Sequence, residues 1–193
     1  RNAILGAPVD DVDIATQLVP ERTVAALKAA GIRVVPTGID HGTVTAVVKG
    51  QPFEITTLRH DVETDGRHAI VAFTTDLARD AARRDFTMNA LYADPLGQVI
   101  DPVGGLADLT VRRLRFVGEP AARIREDYLR ILRFFRFLAI YGRDPDPDAV
   151  AACAAHADGL RQLARERTGA EMRKLLGAPD PGPAEAERSE PGG

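Results

Sequence analysis

The stretch PVDDVDIAT, residues 8–16, sets Asp10, Asp11 and Asp13 among apolar residues near the start of the chain. If residues 11–15 run as a strand, the period of two puts Asp11 and Asp13 on one face and Val12 and Ile14 on the other. The apolar face then packs on a core. The acidic face carries two carboxylates about 7 Å apart along the strand. Their repulsion has to be offset, and a divalent cation does this. Mg²⁺ commonly takes one or two carboxylates together with phosphate oxygens. The competing reading is a solvated polar turn capped by Asp10 or Asp11, because isolated D-x-D pairs occur often by chance.

Downstream, PERTVAALKAA (residues 20–30) predicts a helix, with Val24, Leu27 and Ala30 at helical spacing and Gly31 as its stop. IRVVP follows as a short strand. TVTAVVKGQPFEITTL predicts a β-hairpin in which two β-branched runs flank a turn at Lys49-Gly50-Gln51-Pro52. Glu54 and Thr56 share one face of its second strand, so a neighbouring strand supplies a third carboxylate. Three carboxylates on adjacent strands suit a two-metal site that activates a hydroxyl and stabilises a pyrophosphate leaving group.

Residues 60–69 are polar and predict a loop, with AIVAF beyond it as a strand. DLARDAARRDF (residues 76–86) predicts a helix, whose Arg83, Arg84 and Asp85 lead into an apolar strand. Arg84 is placed to meet a triphosphate, and Asp85 to accept from a ribose hydroxyl or to order the loop. Equally, cations at a helix C-terminus are favoured by its dipole. ALYADPLGQVID predicts a second hairpin, turning at residues 94–97. DPVGGLADL predicts a Gly-rich loop in which Gly104 and Gly105 allow a tight turn and close backbone approach. Asp101 and Asp108 brace it.

From residue 121 the pattern turns helical, with Ile124, Tyr128, Ile131, Phe135 and Leu138 as one apolar stripe. Residues 149–164 and 166–176 predict two further helices. REDYLRILRFFRF (residues 125–137) sets Asp127, Arg130 and Arg133 at steps of three, and Arg136 continues the row. An Asp followed by an Arg offers one acceptor and a fork of donors to a nucleobase edge, while Arg133 and Arg136 suit phosphate. The competing reading is an intrahelical ion pair on a solvated face, worth a few tenths of a kcal/mol.

The composition bounds these options. The chain has 193 residues, 45% hydrophobic and 27% charged, with a formal net charge of −3. That is a globular composition for one domain or two small ones. The near-neutral sum conceals local sign, because arginines crowd between Arg112 and Arg143. A single cysteine, Cys153, excludes an intramolecular disulfide and suits a reducing cytoplasm. No apolar run approaches the roughly 20 residues of a membrane span. RNAILGAPVDD lacks the charged head and apolar core of a secretory leader, and lacks an initiator Met, so a fragment is expected. His41, His60, His68 and His156 have no metal-ligand spacing with cysteine, so no zinc is expected. His41 is expected to bond within its turn, and Arg67 and His68 to lie in a loop with a role in domain motion. Residues 179–193, rich in Pro, Gly, Glu and Ala, predict a disordered tail.

Taken in order, the motifs resemble the class II tRNA nucleotidyltransferase and bacterial poly(A) polymerase family over residues 1 to about 177. RNAILG leading into DVDIAT resembles the family's G-G-x-V-R-[DN]-x-L-L-G followed by D-x-D-x-A-T, with the glycine pair absent. HGTVTAVVKGQPFEITTLR resembles the following hairpin and RRDFTMNALY the ribose-recognition motif. DPVGGLADL resembles the hinge motif, REDYLRILRFFRF the nucleobase-reading motif, and ERTGAEMRKLL the last helix of the neck. The resemblance implies an α+β fold: a polymerase-β-like nucleotidyltransferase head with a small mixed sheet and flanking helices, then an all-helical neck. The boundaries expected are a catalytic head at 1–119, a neck at 120–178 and the tail at 179–193.

By resemblance, Asp11 and Asp13 bind Mg²⁺ with Glu54 as third carboxylate, and a two-metal site is expected. Arg1, Arg84 and Asp85 contact the nucleotide. Asp127 and Arg130 pair with incoming CTP or ATP as a protein template, and Arg133 and Arg136 contact the nucleotide or its phosphates. The implied partners are CTP, ATP and the 3′ end of tRNA, the last gripped by a helical body outside this chain. No membrane or protein partner is implied. The implied reaction is attack of an RNA 3′-hydroxyl on the nucleotide α-phosphate, with release of pyrophosphate. Without the glycine pair and the helical body, impaired activity of this stretch alone is expected. Three other readings stand beside CCA addition: a poly(A) polymerase of the same fold, a nucleotide- or RNA-binding module without catalysis, and a purely structural acidic–basic α/β domain.

Overall fold

The computed structural model describes residues 1–9, 12–36, 38–64 and 69–178, with the backbone alone at 61–64 and 69–71. The chain divides into two compact units, Arg1–Arg83 and the part from Arg84 onward.

The first unit is a four-stranded mixed sheet in the order β1-β4-β3-β2. Its elements are β1 (Ile14–Thr16), α1 (Pro20–Ala29), β2 (Arg33–Val35), β3 (Thr43–Val48) and β4 (Gln51–Thr57). Helix α1 starts on Pro20, whose missing N–H costs nothing at that position. It lays Val24 and Leu27 on the sheet, where Val44, Ala46 and Ile55 form the core with Ile32, Val34 and Ile39. The expected strand over residues 11–15 begins later, at Ile14. The β3–β4 turn is tighter than the sequence predicts. Only Lys49 and Gly50 turn, with φ of 51° and 82°, and Gln51 and Pro52 join the strand. A two-residue turn with both φ positive matches the twist of its strands. Pro52 is tolerated because β1 pairs with β4 only at residues 55–57, which leaves β4 without a β1 partner beside Pro52.

Residues 60–69 are not simply a loop. β5 (Arg59–Thr64) and β6 (Ala69–Phe73) form an antiparallel pair. Charged and β-branched residues alternate along β5, a period-two pattern that its polarity hides. Arg67 and His68 lie outside the described residues. Helix α2 (Leu77–Ala82), capped by Asp76, stops before Arg83, so the helix expected to Phe86 is shorter. Buried Asp80 explains the stop. Its Oδ1 accepts from Arg83 Nε and Nη2, at 3.0 and 2.8 Å, and from the backbone N–H of Arg59.

The second unit opens on Arg84. Thr87–Asn89 is a 3₁₀ turn rather than an apolar strand, and the strand proper is only β7 (Tyr92–Ala93), paired with β8 (Val99–Ile100). Their turn closes through Gly97 N–H to the Asp94 carbonyl, at 3.0 Å. The predicted Gly-rich loop is instead helix α3 (Gly105–Thr110). Asp101 caps it, accepting from the Gly105 and Leu106 N–H groups at 2.8 and 2.9 Å. Gly105 is obligatory, since a Cβ there would stand 2.1 Å from the Thr87 carbonyl oxygen.

The helical remainder comprises α4 (Pro120–Glu126), α5 (Leu129–Tyr141), α6 (Pro147–Ala155) and α7 (Arg165–Leu176). A short parallel pair joins β9 (Arg113–Leu114), before α4, to β10 (Asp144–Pro145), between α5 and α6. The expected stripe from Ile124 to Leu138 spans two helices, broken at Asp127 and Tyr128. On α5 the buried residues are Ile131, Phe134, Phe137 and Leu138, and Phe135 points outward. Phe86, Phe116, Phe134 and Phe137 form the aromatic core, with Phe116 stacked on Phe134 at 5.6 Å between centroids.

Candidate active site

The outward face of the first unit carries the carboxylates. β1 runs parallel to β4 in the register Ile14↔Ile55, Ala15↔Thr56 and Thr16↔Thr57. Asp13 immediately precedes β1, and the register continued one step past Ile14↔Ile55 brings it beside Glu54, outside the paired residues themselves. On the other flank of Glu54, β3 contributes Thr45. Glu54 and Thr45 lie on the sheet face opposite the apolar one under α1, Asp13 lies just before β1, and both carboxylates are exposed. Asp10 and Asp11 lie outside the described residues. Among the described residues no cluster of three or more His, Cys, Asp or Glu side chains converges on one point. The donor set that is placed, two neighbouring exposed carboxylates, fits a hard cation that takes one or two carboxylates and fills its other positions from water and phosphate. Arg1 stands in the turn that precedes β1, with Nε donating to Asn2 Oδ1 at 3.3 Å.

In the second unit, each member of the charged row meets a partner. Asp127 is not on a helix. With φ of −158° it occupies the break between α4 and α5, and its Oδ1 accepts from the Leu129 N–H at 3.1 Å. Its Oδ2 accepts from Arg167 Nη2 at 2.7 Å. The intrahelical pair Asp127–Arg130 does not form. Arg130 Nη1 donates instead to Glu126 Oε2, at 2.5 Å, and to the Arg123 carbonyl, at 2.8 Å. Arg136 pairs with Glu171 of α7 and lies over the Phe137 ring at 4.4 Å. Arg133 Nε donates to Asp85 Oδ2 at 2.9 Å, and its Nη2 to the same oxygen.

Asp85 is buried, and its acceptors are occupied. Oδ1 takes the Phe86 N–H at 2.8 Å and the Asn89 amide at 2.9 Å, while Oδ2 takes Arg133. Burial alone would raise its pKa. The Arg133 guanidinium, with the Asn89 amide and the Phe86 N–H, more than reverses this and holds the carboxyl below its ordinary value. These bonds tie Asp85 to the Phe86–Asn89 turn and to Arg133. Arg84 donates to the Tyr92 hydroxyl and the Asn89 carbonyl, each at 3.1 Å, and lies over the Tyr92 ring.

Several members of these networks escape a sequence reading. Arg167 and Glu171 are partners of site residues across the fold, and Asn89 is a local partner of Asp85, four residues away. Asp108, expected to brace its own turn, reaches further and accepts from Thr87 Oγ1 and Arg115 Nε, at 2.6 and 2.9 Å. One signal was available for α7: Arg167 and Glu171 are four residues apart, hence on one face, with signs complementary to Asp127 and Arg136. His41 bonds within its turn through the Gly38 carbonyl, and its own carbonyl accepts from Arg59. No described helix is long and apolar enough to cross a membrane.

Comparison with known proteins adds to this geometry. Residues 1–115 match the poly A polymerase head domain. The chain is 45% identical over 183 residues to the human mitochondrial CCA tRNA nucleotidyltransferase 1, covering 91% of this chain and 42% of that protein. It is 46% identical over 181 residues to a CCA-adding enzyme of Streptococcus pyogenes, covering 93% of this chain and 44% of the enzyme. Among solved structures, the Bacillus stearothermophilus CCA-adding enzyme in complex with CTP aligns at 40% identity and a TM-score of 0.83. That alignment covers 92% of this chain and 42% of that one. The chain therefore spans less than half the length of the relatives it matches.

Proposed function

The chain belongs to the poly A polymerase head-domain family, and from that premise we propose that the protein is a template-independent RNA nucleotidyltransferase adding CCA to the 3′ end of tRNA. The observation that carries the reading is the parallel pairing of β1 with β4, which brings Asp13, at the entry to β1, near Glu54 of β4. Its support from comparison is the likeness to CCA-adding enzymes along nearly the whole chain. The division into a catalytic head to about residue 119 and a nucleobase-reading neck over 120–178 belongs to the same reading.

In this reading Asp11, Asp13 and Glu54 hold magnesium, in a two-metal arrangement. Bound Mg²⁺ supplies charge neutralisation at the triphosphate and lowers the pKa of the attacking hydroxyl. The residues of the chain do the rest. Glu54 sits within β4 and Asp13 immediately before its parallel partner β1, so the sheet limits how far apart the two carboxylates can lie. Arg1, Arg84, Arg133 and Arg136 offer guanidinium donors to the nucleotide and its phosphates. Asp85 acts on the nucleotide by fixing Arg133. Asp127 accepts from the amino group that cytosine and adenine share, and Arg130 donates to the ring acceptor beside it. Such catalysis is mostly positioning.

The test is Asp13→Ala in the full-length protein, assayed with a tRNA lacking its terminal CCA, labelled CTP and ATP, and Mg²⁺. Near-total loss of addition is expected. Activity at the parent level would leave only a non-catalytic binding module. The family's description favours poly(A) addition as a second reading. CTP and ATP supplied separately decide it, since a poly(A) polymerase ignores CTP.

A further inference from the structure

We infer that Arg167, on the first turn of α7, is a positioning residue for nucleobase selection: it acts through Asp127 and touches no substrate itself. The inference rests on the proposed base-reading role of Asp127. Asp127 stands at the break between α4 and α5 in extended conformation, its carbonyl accepting from the Arg130 N–H at 3.0 Å, which leaves the side chain to be oriented separately. Two bonds orient its carboxylate. The Leu129 N–H holds Oδ1 at 3.1 Å and Arg167 Nη2 holds Oδ2 at 2.7 Å. An ionised carboxylate has about four acceptor sites. One donor on each oxygen fixes its plane and leaves further lone pairs for a ligand. The side chain is 27% exposed, so a ligand can reach it.

The chemistry of the bases makes that plane decisive. Cytosine and adenine present an exocyclic amino donor, which a carboxylate accepts. Uracil and guanine present a carbonyl oxygen at the corresponding edge, which a carboxylate repels. Discrimination of this kind depends on a polar group that cannot turn away from the wrong base. With Arg167 removed, Asp127 keeps a single backbone bond and rotates about it. The carboxylate then averages over orientations, and the penalty against uracil falls.

Arg167 suits a test because it carries little of the fold. Its side chain is 45% exposed, and an ion pair so exposed contributes little to stability. Arg167→Ala in the full-length protein is therefore expected to leave the melting temperature within a few degrees of the parent. The ratio of kcat/KM for CTP over UTP on a CCA-less tRNA is expected to fall about tenfold or more, through UTP gain as well as CTP loss. Arg167→Lys keeps the charge but not the planar fork, and is expected to restore part of the ratio. An unchanged ratio in Arg167→Ala overturns the inference. So does a uniform drop with CTP, ATP, UTP and GTP, which is the mark of a merely structural residue. A parent protein that takes UTP as readily as CTP overturns the base-reading role itself, and this inference with it.

Discussion

Asp85→Asn separates the two uses a buried carboxylate can have, and its consequence follows from the geometry. Asn preserves shape, and its oxygen still accepts from the Phe86 N–H and the Asn89 amide. Its amide nitrogen then faces the two Arg133 donors that Oδ2 accepts in the parent. Hydrogen bonds to a charged group contribute about 1.5–3 kcal/mol each. Arg133 remains 32% exposed, so water replaces part of the loss. The expected destabilisation is about 2–4 kcal/mol at pH 7. The chain has three tyrosines, Tyr92, Tyr128 and Tyr141, and no tryptophan, and all three lie in the second unit. Tyrosine fluorescence during urea unfolding therefore reports on the unit that contains Asp85. With m of about 2 kcal/mol/M, the middle of the usual urea range, the midpoint falls by about 1–2 M.

The pH dependence supplies an independent check. The folded pKa of Asp85 lies below the unfolded one, which is about 3.9. Its contribution is complete above that unfolded value and is lost as pH falls through the folded one. The gap between parent and Asp85→Asn is thus expected to narrow below about pH 4. A midpoint shift worth under 0.5 kcal/mol at pH 7, or a gap that widens on acidification, would refute the reasoning.

Three further outcomes are expected. Glu54→Gln, at an exposed position on β4, leaves the urea midpoint followed by circular dichroism unchanged while nucleotide addition by the full-length protein falls at least tenfold. Equal losses in folding and activity would count against a role at the metal. Gly105→Ala drives a Cβ to 2.1 Å from the Thr87 carbonyl oxygen, a backbone clash that no rotamer relieves. It is expected to destabilise the second unit by about 3 kcal/mol or more, and an unchanged tyrosine unfolding curve would contradict the close approach. Cys153 is buried, and burial pushes its thiol up to about 12. Iodoacetamide at pH 8 is expected to label it only in urea, and rapid labelling of the folded protein would contradict its burial.

How much of this was legible depends on where the determining partner sits. The β3–β4 hairpin was readable because β-branched residues alternate over two runs and Gly50 marks the turn. The first helix was readable because Pro20 and Gly31 bracket it. The helix over Gly105–Thr110 was not, since two glycines argue against a helix. What offsets them, the Asp101 cap and the approach of Thr87, lies in the fold. The break at Asp127 was hidden for the opposite reason. Apolar spacing runs on across it from Ile124 to Leu138, and only the capping chemistry of Asp marks the stop. The row of Asp127, Arg130, Arg133 and Arg136 was visible as a row. Glu126, four residues from Arg130, was its one local partner, whereas Asp85, Arg167 and Glu171 stand 48, 40 and 35 residues away.

That distribution of partners bears on what the row is for. A face that merely solvates a helix leaves its guanidiniums in water, yet the side chains of Arg130 and Arg136 are only 14% and 13% exposed. Drawing such groups out of water costs several kcal/mol per ion, and the attraction between partners returns roughly that amount. Apolar residues of similar volume would serve stability as well or better. What an ion pair supplies, and a leucine does not, is a charged group held in one orientation before a ligand arrives. The second unit builds four such pairs from three helices and the turn after Arg84. The ordering of those side chains is then done on folding, so it need not be done again on binding. A row assembled at no gain to stability, with its charges tied to α4, to α7 and to the turn after Arg84, is explained by the geometry it holds ready and not by the fold it stabilises.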